Sequence, residues 1–272
     1  MNKEDFKELI LARKEKGKHL HIAHRGVSSL APGNSLTALK LGLTTPRVDG
    51  IEFDVQETRD HQLIVRHHRA VSIGGKSLWV KDVSLTDIRK LETAEETPLL
   101  LDVLEALKPG NKILDIEIKA TGLAKKIIDA CKSAGVYERV IFTALYFDIH
   151  QEIQSCDPQV ACIFGYPRDR GKDLAFKWWT KPFVKAIIWQ MKRSLPGAIA
   201  HMMQQSDTQF VSLYYKVLTP QVAAVIKKNG GVCIGVTLIW HKDVRESDAV
   251  KIHQTMIAAG ADAIKTDFPQ LG

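Results

Sequence analysis

The amino-acid sequence predicts an α/β fold, built as a (β/α)8 barrel. Eight short apolar runs have the pattern of strands, amphipathic segments of helical period lie between most of them, and 272 residues suit one such barrel. The strand-like runs are 20–23, 50–55, 112–118, 139–143, 160–164, 209–213, 232–237 and 261–264. The alternative, a doubly wound open sheet, is not supported because no GxGxxG motif follows the first strand.

The predicted helices follow from apolar spacing and from breaker residues. Residues 3–16 carry apolar side chains at helical spacing and precede Gly17, so we expect a helix that closes the bottom of the barrel. A second helix is expected at 34–43, after a loop that contains Pro32. Further helical patterns cover 99–107, 123–134, 220–228 and 247–259.

Composition indicates a soluble globular protein. Hydrophobic residues make up 45% and charged residues 25% of the chain, both ordinary values. The N-terminal segment is charged, and no run approaches the roughly 20 apolar residues of a membrane span. We therefore expect an unexported, cytoplasmic protein. The four cysteines lack CxxC spacing, so buried free thiols are expected rather than a zinc site or disulfides.

The formal net charge of +7 favours anionic partners such as phosphates, acidic lipids or nucleic acid. No segment combines a dense basic stripe with interleaved aromatic residues, and no zinc-finger or RNA-binding signature is present. Nucleic acid is therefore not expected as a partner.

Alternation places two carboxylates on one face of the second predicted strand. Glu52 and Asp54 are two residues apart, so their side chains point the same way. Polar groups on the buried side of an apolar strand are costly unless something there binds them. The alternative is a polar face that is directed to solvent.

Other predicted strands end in further titratable side chains. His24 and Arg25 end the first strand, the third carries Glu117 and Lys119, and His67 follows a short apolar run. The carboxyl ends of all strands of a (β/α)8 barrel meet at one mouth. We therefore expect these groups to converge there with the two carboxylates of the second strand.

These residue types favour a metal site that cleaves phosphodiesters. Carboxylates with few nitrogen ligands prefer Mg²⁺ or Ca²⁺ to zinc, an arginine and a lysine can bind a phosphate, and two imidazoles can act as base and acid. The alternative is a buried salt-bridge network between the three carboxylates and Arg25 and Lys119. His68 could also compete with His67 for its role.

Neighbouring residues are expected to have supporting roles. Asp115 shares a strand face with Lys119 and is expected to orient it, and Asp267 is expected to cap or brace the loop after the last strand. Gly26 suits a turn with positive φ or a close approach of backbone to phosphate. Surface or capping roles are expected for His61, His150, His201, His241 and His253.

Several motifs follow one another over nearly the whole chain: His24-Arg25-Gly26 with Ala31-Pro32 and Asn34, Glu52-Phe53-Asp54-Val55 with Thr58 and Asp60, Val65 with His67, Glu117-Ile118-Lys119, and Thr266-Asp267 with Pro269. In their order and spacing these motifs resemble those of the glycerophosphodiester phosphodiesterase family. The chain departs from the family pattern at Gly33, where the family has Glu, and at His68, where it has Asp. The tryptophan of the seventh strand's motif is also missing at Val236 or Thr237, although Trp240 follows.

This resemblance implies a TIM barrel of the phospholipase C-like phosphodiesterase type, in a single domain over residues 1–272. It implies one divalent cation, Mg²⁺ or Ca²⁺, on Glu52, Asp54 and Glu117, catalysis by His24 and His67, and phosphate binding by Arg25 and Lys119. The departures at Gly33 and His68 bear on how these groups are oriented.

The expected activity is metal-dependent hydrolysis of glycerophosphodiesters to an alcohol and sn-glycerol 3-phosphate. The nucleophile could be water, or a neighbouring substrate hydroxyl that first gives a cyclic phosphate. One alternative is a lysophospholipase D-like activity on lysolipids with a cyclic phosphate product. A second is a barrel that binds phosphate or lipid without catalysis, prompted by the departures from the family pattern.

The connection after the fifth strand is longer and less regular than the others. Residues 165–205 combine aromatic and basic side chains, which favours a lid or insertion beside the active-site mouth. Within it, residues 174–195 could contact an anionic membrane peripherally. The alternative is the fifth barrel helix with a packed loop, because barrel helices are themselves amphipathic.

Overall fold

The computed structural model describes residues 1–166, 184–237 and 245–271. Their strands, in chain order, are β1 (Leu20–Ala23), β2 (Gly50–Glu57), β3 (Leu63–Val65), β4 (Ala70–Ile73), β5 (Lys76–Trp79), β6 (Ile113–Ile118), β7 (Val140–Ala144), β8 (Cys162–Tyr166), β9 (Phe210–Tyr214), β10 (Val232–Val236) and β11 (Ala263–Thr266). Eight of these strands form the wall of a barrel, and each of the eight overlaps one of the predicted runs. The predicted fold class is therefore confirmed.

The barrel closes through parallel pairing in the order β1-β2-β6-β7-β8-β9-β10-β11. Closure is visible at Ile22 of β1, which lies opposite both Gly50 of β2 and Lys265 of β11. Of the three remaining strands, β3 pairs antiparallel with the carboxyl end of β2, and β4 and β5 form a separate hairpin. Parallel strands place all their carboxyl ends on one side of the barrel.

The helices surround this wall. They are α1 (Lys3–Glu15), α2 (Leu36–Thr44), α3 (Leu85–Ile88), α4 (Leu100–Leu107), α5 (Ala124–Ser133), α6 (Phe147–Cys156), α7 (Val184–Ser206), α8 (Pro220–Lys228) and α9 (Glu246–Ala258). Side-chain caps fix several starts: Ser35 accepts from the backbone of Ala38, and Thr219 caps α8 directly before Pro220. Helix α2 starts later than predicted because Ser35 is its cap and Asn34 has a left-handed backbone with φ of +68°.

The first helix closes the bottom of the barrel, as predicted. Phe6 and Ile10 are fully buried and join the cluster of apolar side chains from the strands' amino ends. The ring of Phe6 lies 5.0 Å from that of Phe210 on β9. The apolar bottom leaves the opposite end of the barrel for the polar side chains.

The long connection after β8 lies partly outside the described residues. Helix α7 follows it, and its second half packs as a barrel helix through Leu195, Ile199 and Met202, all buried. Its first half exposes 57% of Trp189, and the guanidinium of Arg193 lies 4.8 Å from that ring. The second half matches the expected fifth barrel helix. Of the segment predicted to contact a membrane, residues 174–183 lie outside the described residues, and that contact stays a prediction.

Among the described residues, no helix has the length and apolar character that crossing a membrane requires.

Burial corrects three minor expectations. Cys131, Cys162 and Cys233 are buried free thiols as predicted, but Cys156 is exposed. His150 and His253 are buried rather than at the surface, and burial lowers the pKa of each to about 4. His253 bonds Thr266 at the end of β11 (2.8 Å), so it supports the barrel's closing strand as a neutral side chain.

Candidate active site

A cavity of about 600 Å³ opens at the carboxyl ends of the barrel strands. Its lining includes His24, Arg25, His67, Glu117 and Lys119, five of the seven residues predicted for the site. The other two, Glu52 and Asp54, are fully buried beneath it. The structure therefore brings the sequence-predicted residues to one place.

His24 is held by the loop that follows the last strand. Its backbone N–H donates to the carbonyl of Thr266 (2.9 Å), and its ring Nδ1 lies 2.8 Å from Oδ1 of Asp267. A carboxylate oxygen accepts hydrogen bonds, so Nδ1 carries the proton and Nε2 is directed toward Glu52, 3.9 Å away. Burial acts to raise the pKa of Asp267, but His24 and Ser28 hold it below its usual value. Asp267 thus orients an imidazole, a more specific role than the bracing expected from sequence.

The backbone after His24 turns sharply around Glu52. Arg25 and Gly26 have φ of +56° and +74°, and a side chain at Gly26 would clash with the backbone of Ala38. This turn directs the N–H of Arg25 to Oε2 of Glu52 (2.7 Å). Of the two reasons considered for Gly26, the positive-φ turn is the one observed.

Three carboxylates meet below the cavity. Asp54 lies directly opposite Glu117 in the register of β2 and β6, and Glu52 points the same way from β2. One oxygen from each of the three lies within 4.8 Å of the others. Oε1 of Glu52 is buried without a hydrogen-bond partner, and burial raises the pKa of this group to about 7 despite the nearby His24.

The two predicted phosphate-binding cations contact this carboxylate cluster. Nζ of Lys119 lies 2.6 Å from Oδ1 of Asp54 and also pairs with Glu117, and Nε of Arg25 lies 3.4 Å from Oδ2 of Asp54. Asn34 fixes the same carboxylate, donating from Nδ2 (2.7 Å) and accepting from the Asp54 backbone (3.1 Å). Burial acts to raise the pKa of Asp54, but Lys119 holds it well below its usual value. The salt-bridge network considered from sequence is therefore present for Asp54 and Glu117, which also belong to the predicted metal site, whereas Glu52 accepts from the backbone of Arg25.

His67 lies on a loop that is held in place by hydrogen bonds from Gln56 and by an ion pair of Arg66. The side-chain amide of Gln56 donates to the carbonyls of Arg66 (2.6 Å) and His68 (3.0 Å). Arg66 in turn forms an ion pair with Glu92 (2.8 Å). Burial and the nearby Lys119 lower the pKa of His67, so its ring is neutral. His68 meets it edge-on with ring centroids 5.0 Å apart.

Asp115 has a different partner from the one expected. It was predicted to orient Lys119, but its Oδ2 lies 2.7 Å from Nζ of Lys265 on β11, and its Oδ1 accepts from Thr143 (2.7 Å). All three side chains are buried. Burial opposes the charge on Lys265, yet Asp115 and Glu52 raise its pKa to about 12. The barrel's closure produces this pair, since β6 and β11 face each other across the interior.

The donor set fits a divalent cation that prefers oxygen. Three buried carboxylates converge, one of their oxygens lacks a hydrogen-bond partner, and no cysteine lies among the grouped ligands of the described residues. Mg²⁺ and Ca²⁺ both prefer carboxylate oxygens. Glu52, Asp54 and Glu117 are thus the residues that could hold such an ion.

Residues 24–159, half of the chain, match the glycerophosphoryl diester phosphodiesterase family. The chain belongs to this family. A protein of Caldanaerobacter subterraneus subsp. tengcongensis named glycerophosphodiester phosphodiesterase is 28% identical over 270 residues, covering 93% of this chain and 96% of the relative. The family predicted from the sequence motifs is therefore confirmed.

Solved structures of the glycerophosphodiester phosphodiesterase family share the fold. The chain is similar to a phosphodiesterase from Oleispira antarctica solved with the product sn-glycerol 3-phosphate, at a TM-score of 0.64, 20% identity, and coverage of 92% and 94% of the two chains. It is also similar to the Thermotoga maritima glycerophosphodiester phosphodiesterase, at a TM-score of 0.64, 18% identity, and coverage of 93% and 96%.

Two departures from the family pattern, at Gly33 and His68, lie among the described residues. A Cβ at Gly33 would lie 3.2 Å from Cβ of Arg25, so glycine there leaves room for the arginine to reach Asp54. His68 lies at the cavity rim, exposed, beside His67. Trp240 lies outside the described residues. The predicted carboxylates keep their common position despite these departures.

Sequence reasoning missed the aromatic part of the cavity. Tyr146, Tyr166 and Tyr214 line the side formed by β7, β8 and β9. Tyr166 and Tyr214 end β8 and β9, just beyond the predicted runs 160–164 and 209–213, so the rule that strand ends supply the site would have pointed to them. Arg69 also lines the cavity, directly before the hairpin β4–β5. The two-residue turn Gly74-Gly75 between short strand-like runs is the sequence signal that could have found this hairpin.

Proposed function

We propose that this chain is a divalent-cation-dependent glycerophosphodiester phosphodiesterase that releases an alcohol and sn-glycerol 3-phosphate. The observation that carries the proposal is the arrangement of His24 and His67 around one cavity, directly above three converging carboxylates. Membership of a phosphodiesterase family supports it, as does the activity named for the Caldanaerobacter relative.

Each group has a chemical role in this reaction. A divalent cation on Glu52, Asp54 and Glu117 would supply positive charge to a non-bridging phosphate oxygen when bound. Arg25 and Lys119 line the cavity next to this position, where they stabilise charge that develops on the phosphate. Lys119 pairs with Asp54 and Glu117 and also lines the cavity, so the same ammonium can hold these carboxylates and contact the phosphate.

The two imidazoles move the protons. A nucleophilic oxygen attacks phosphorus while the bond from phosphorus to the leaving alcohol oxygen breaks. One imidazole takes the proton of the nucleophile and the other gives a proton to the leaving oxygen. Asp267 fixes the ring of His24 through Nδ1, which leaves Nε2 to exchange the proton.

The nucleophile distinguishes two forms of this activity. Water would give sn-glycerol 3-phosphate directly, whereas an adjacent hydroxyl of the substrate would give a cyclic phosphate first, the route also considered for lysolipids. Phosphorus NMR of the reaction mixture separates the two products. We propose water as the nucleophile, because the similar phosphodiesterase from Oleispira antarctica was solved with sn-glycerol 3-phosphate as its product.

Hydrolysis should require a divalent cation. Purified protein incubated with glycerophosphoglycerol and Mg²⁺ or Ca²⁺ is expected to release glycerol 3-phosphate, measured by a coupled dehydrogenase assay. EDTA should stop the release, and an excess of the same cation should restore it. Tight binding of the diester without turnover under either cation would instead favour a non-catalytic binding barrel.

A further inference from the structure

The cavity has a second half, which lies away from the carboxylate cluster. In the strand order of the barrel, β8 and β9 stand across from β1 and β2, which carry His24, Glu52 and Asp54. Tyr166 and Tyr214 end β8 and β9, and both line the cavity. With the phosphorus near the imidazoles, an organic part of the substrate must occupy this aromatic half.

One aromatic ring in this half is covered by a cation of the protein. The guanidinium carbon of Arg69 lies 4.8 Å from the ring centroid of Tyr146, which is a cation–π distance. The hairpin β4–β5 holds the arginine there, because the N–H of Val80 donates to the Arg69 carbonyl (2.8 Å) and Trp79 pairs with Ala70. Arg69 and Tyr146 both line the cavity.

A pair of neighbouring tyrosine rings is also contacted by a cation of the protein. Nζ of Lys216 lies 6.0 Å from the ring centroid of Tyr214 and 5.7 Å from that of Tyr215. The two tyrosine rings pack edge-on, 4.9 Å apart. A cationic headgroup such as choline binds an open ring face, and at Tyr146 and Tyr214 an arginine and a lysine of the protein already lie over one face and would repel it.

The charges that line the cavity also favour an anionic headgroup over a cationic one. Among the described lining residues the cations are Arg25, Arg69, Lys119 and Lys265, and the one carboxylate is Glu117. Arg25, Lys119 and Lys265 pair with Asp54, Glu117 and Asp115, whereas Arg69 contacts an aromatic ring. A headgroup ammonium would find no other carboxylate among the described lining residues. An anionic headgroup would find the planar guanidinium of Arg69, which can donate two parallel hydrogen bonds to a phosphate or carboxylate.

We propose that Arg69, held over Tyr146 by the hairpin β4–β5, selects glycerophosphodiesters whose alcohol part carries a second anionic group. The inference rests on the proposed function and names its substrate class. Diesters with a second phosphate bind better than diesters with a neutral headgroup, and those with a quaternary ammonium headgroup bind worst.

Binding and turnover can be measured separately. Calorimetry with the Ca²⁺-loaded His24→Gln variant would compare bis(glycerophospho)glycerol, glycerophosphoglycerol and glycerophosphocholine, with His67→Gln in its place if that chain does not fold. We expect the first to bind about tenfold more tightly than the second, and glycerophosphocholine to bind most weakly. The wild-type enzyme should show the same order in kcat/KM.

Substitution of Arg69 tests the assignment itself. Added to the calorimetry variant, Arg69→Gln should remove most of the tenfold preference, whereas Arg59→Gln, a matched change at an exposed arginine outside the cavity, should keep it. Equal binding of the three diesters, preference for the choline diester, or a preference unchanged by Arg69→Gln would overturn the inference. Failure of the wild type to hydrolyse any diester would refute the proposed function alone, because binding decides the headgroup preference without turnover.

Discussion

Replacement of His24 by alanine is expected to lower kcat for diester hydrolysis by about 10³-fold, while the protein stays folded. The imidazole lines the cavity above Glu52, and no other described side chain of the first strand's loop can exchange a proton at that position. A matched control is His61→Ala, since that side chain is 79% exposed and is not among the described residues that line the cavity. Circular dichroism and a thermal melt establish that each variant is folded.

Substitution of Asp267 is expected to lower kcat as well, but by less than substitution of His24. Asp267→Asn keeps the size of the side chain but removes the charge that orients the ring of His24 through the 2.8 Å contact. Loss of such a supporting carboxylate is expected to cost about 10- to 100-fold in kcat with little change in KM, because the residue acts through His24 and not on the substrate.

A folded His24→Ala variant that retained activity within tenfold of wild type would contradict acid–base catalysis by this histidine.

Lys265→Met is expected to destabilise the protein by about 3–5 kcal/mol. Lys265 and Asp115 are both buried, and their 2.7 Å ion pair lies inside the barrel. Methionine fills a similar volume but leaves the Asp115 carboxylate buried with the hydroxyl of Thr143 as its remaining partner. Urea denaturation followed by circular dichroism measures the free energy of unfolding, with the exposed ion-pair residue Lys125→Met as a control that should change it by less than about 0.5 kcal/mol.

A second substitution distinguishes the lost charge pair from lost packing. Lys265→Met combined with Asp115→Leu removes both buried charges, so it should recover most of the stability lost in the single variant. If Lys265→Met proves no more destabilising than Lys125→Met, the buried pair does not stabilise the barrel. If the double variant adds a second loss of similar size, the cost lies in packing and not in an unpaired charge.

The wall of the barrel could be predicted because local pattern and global fold agree along it. Each barrel strand is a short apolar run, and alternation in Gly50–Glu57 and Ile113–Ile118 alone places Asp54 and Glu117 on the inward face. Their exact pairing needs the register between two strands that are more than fifty residues apart in the chain. Because the carboxyl ends of all barrel strands meet at one mouth, Asp54 and Glu117 could be predicted to lie close together without knowledge of the register.

The partners of the buried charges could not be predicted, because they depend on closure of the barrel. Asp115 and Lys119 share a strand face in the sequence pattern, yet Asp115 reaches Lys265 from the last strand, and Lys119 reaches Asp54 instead. Nothing in the local sequence of either segment encodes a contact across the interior. The position of Arg69 over Tyr146 could not be predicted for the same reason, because the contact joins a residue directly before β4 to one that follows β7.

Location of a bound cation tests the central claim most directly. Crystals grown with Mn²⁺ and sn-glycerol 3-phosphate can be measured for anomalous scattering, alongside crystals of Glu52→Gln and of the exposed control Glu105→Gln. We expect one strong peak in contact with the carboxylates of Glu52, Asp54 and Glu117, with the phosphate between His24 and His67, and loss of that peak only in Glu52→Gln. A peak elsewhere, or one that persists unchanged in Glu52→Gln, would contradict a metal-dependent phosphodiesterase site at this end of the barrel.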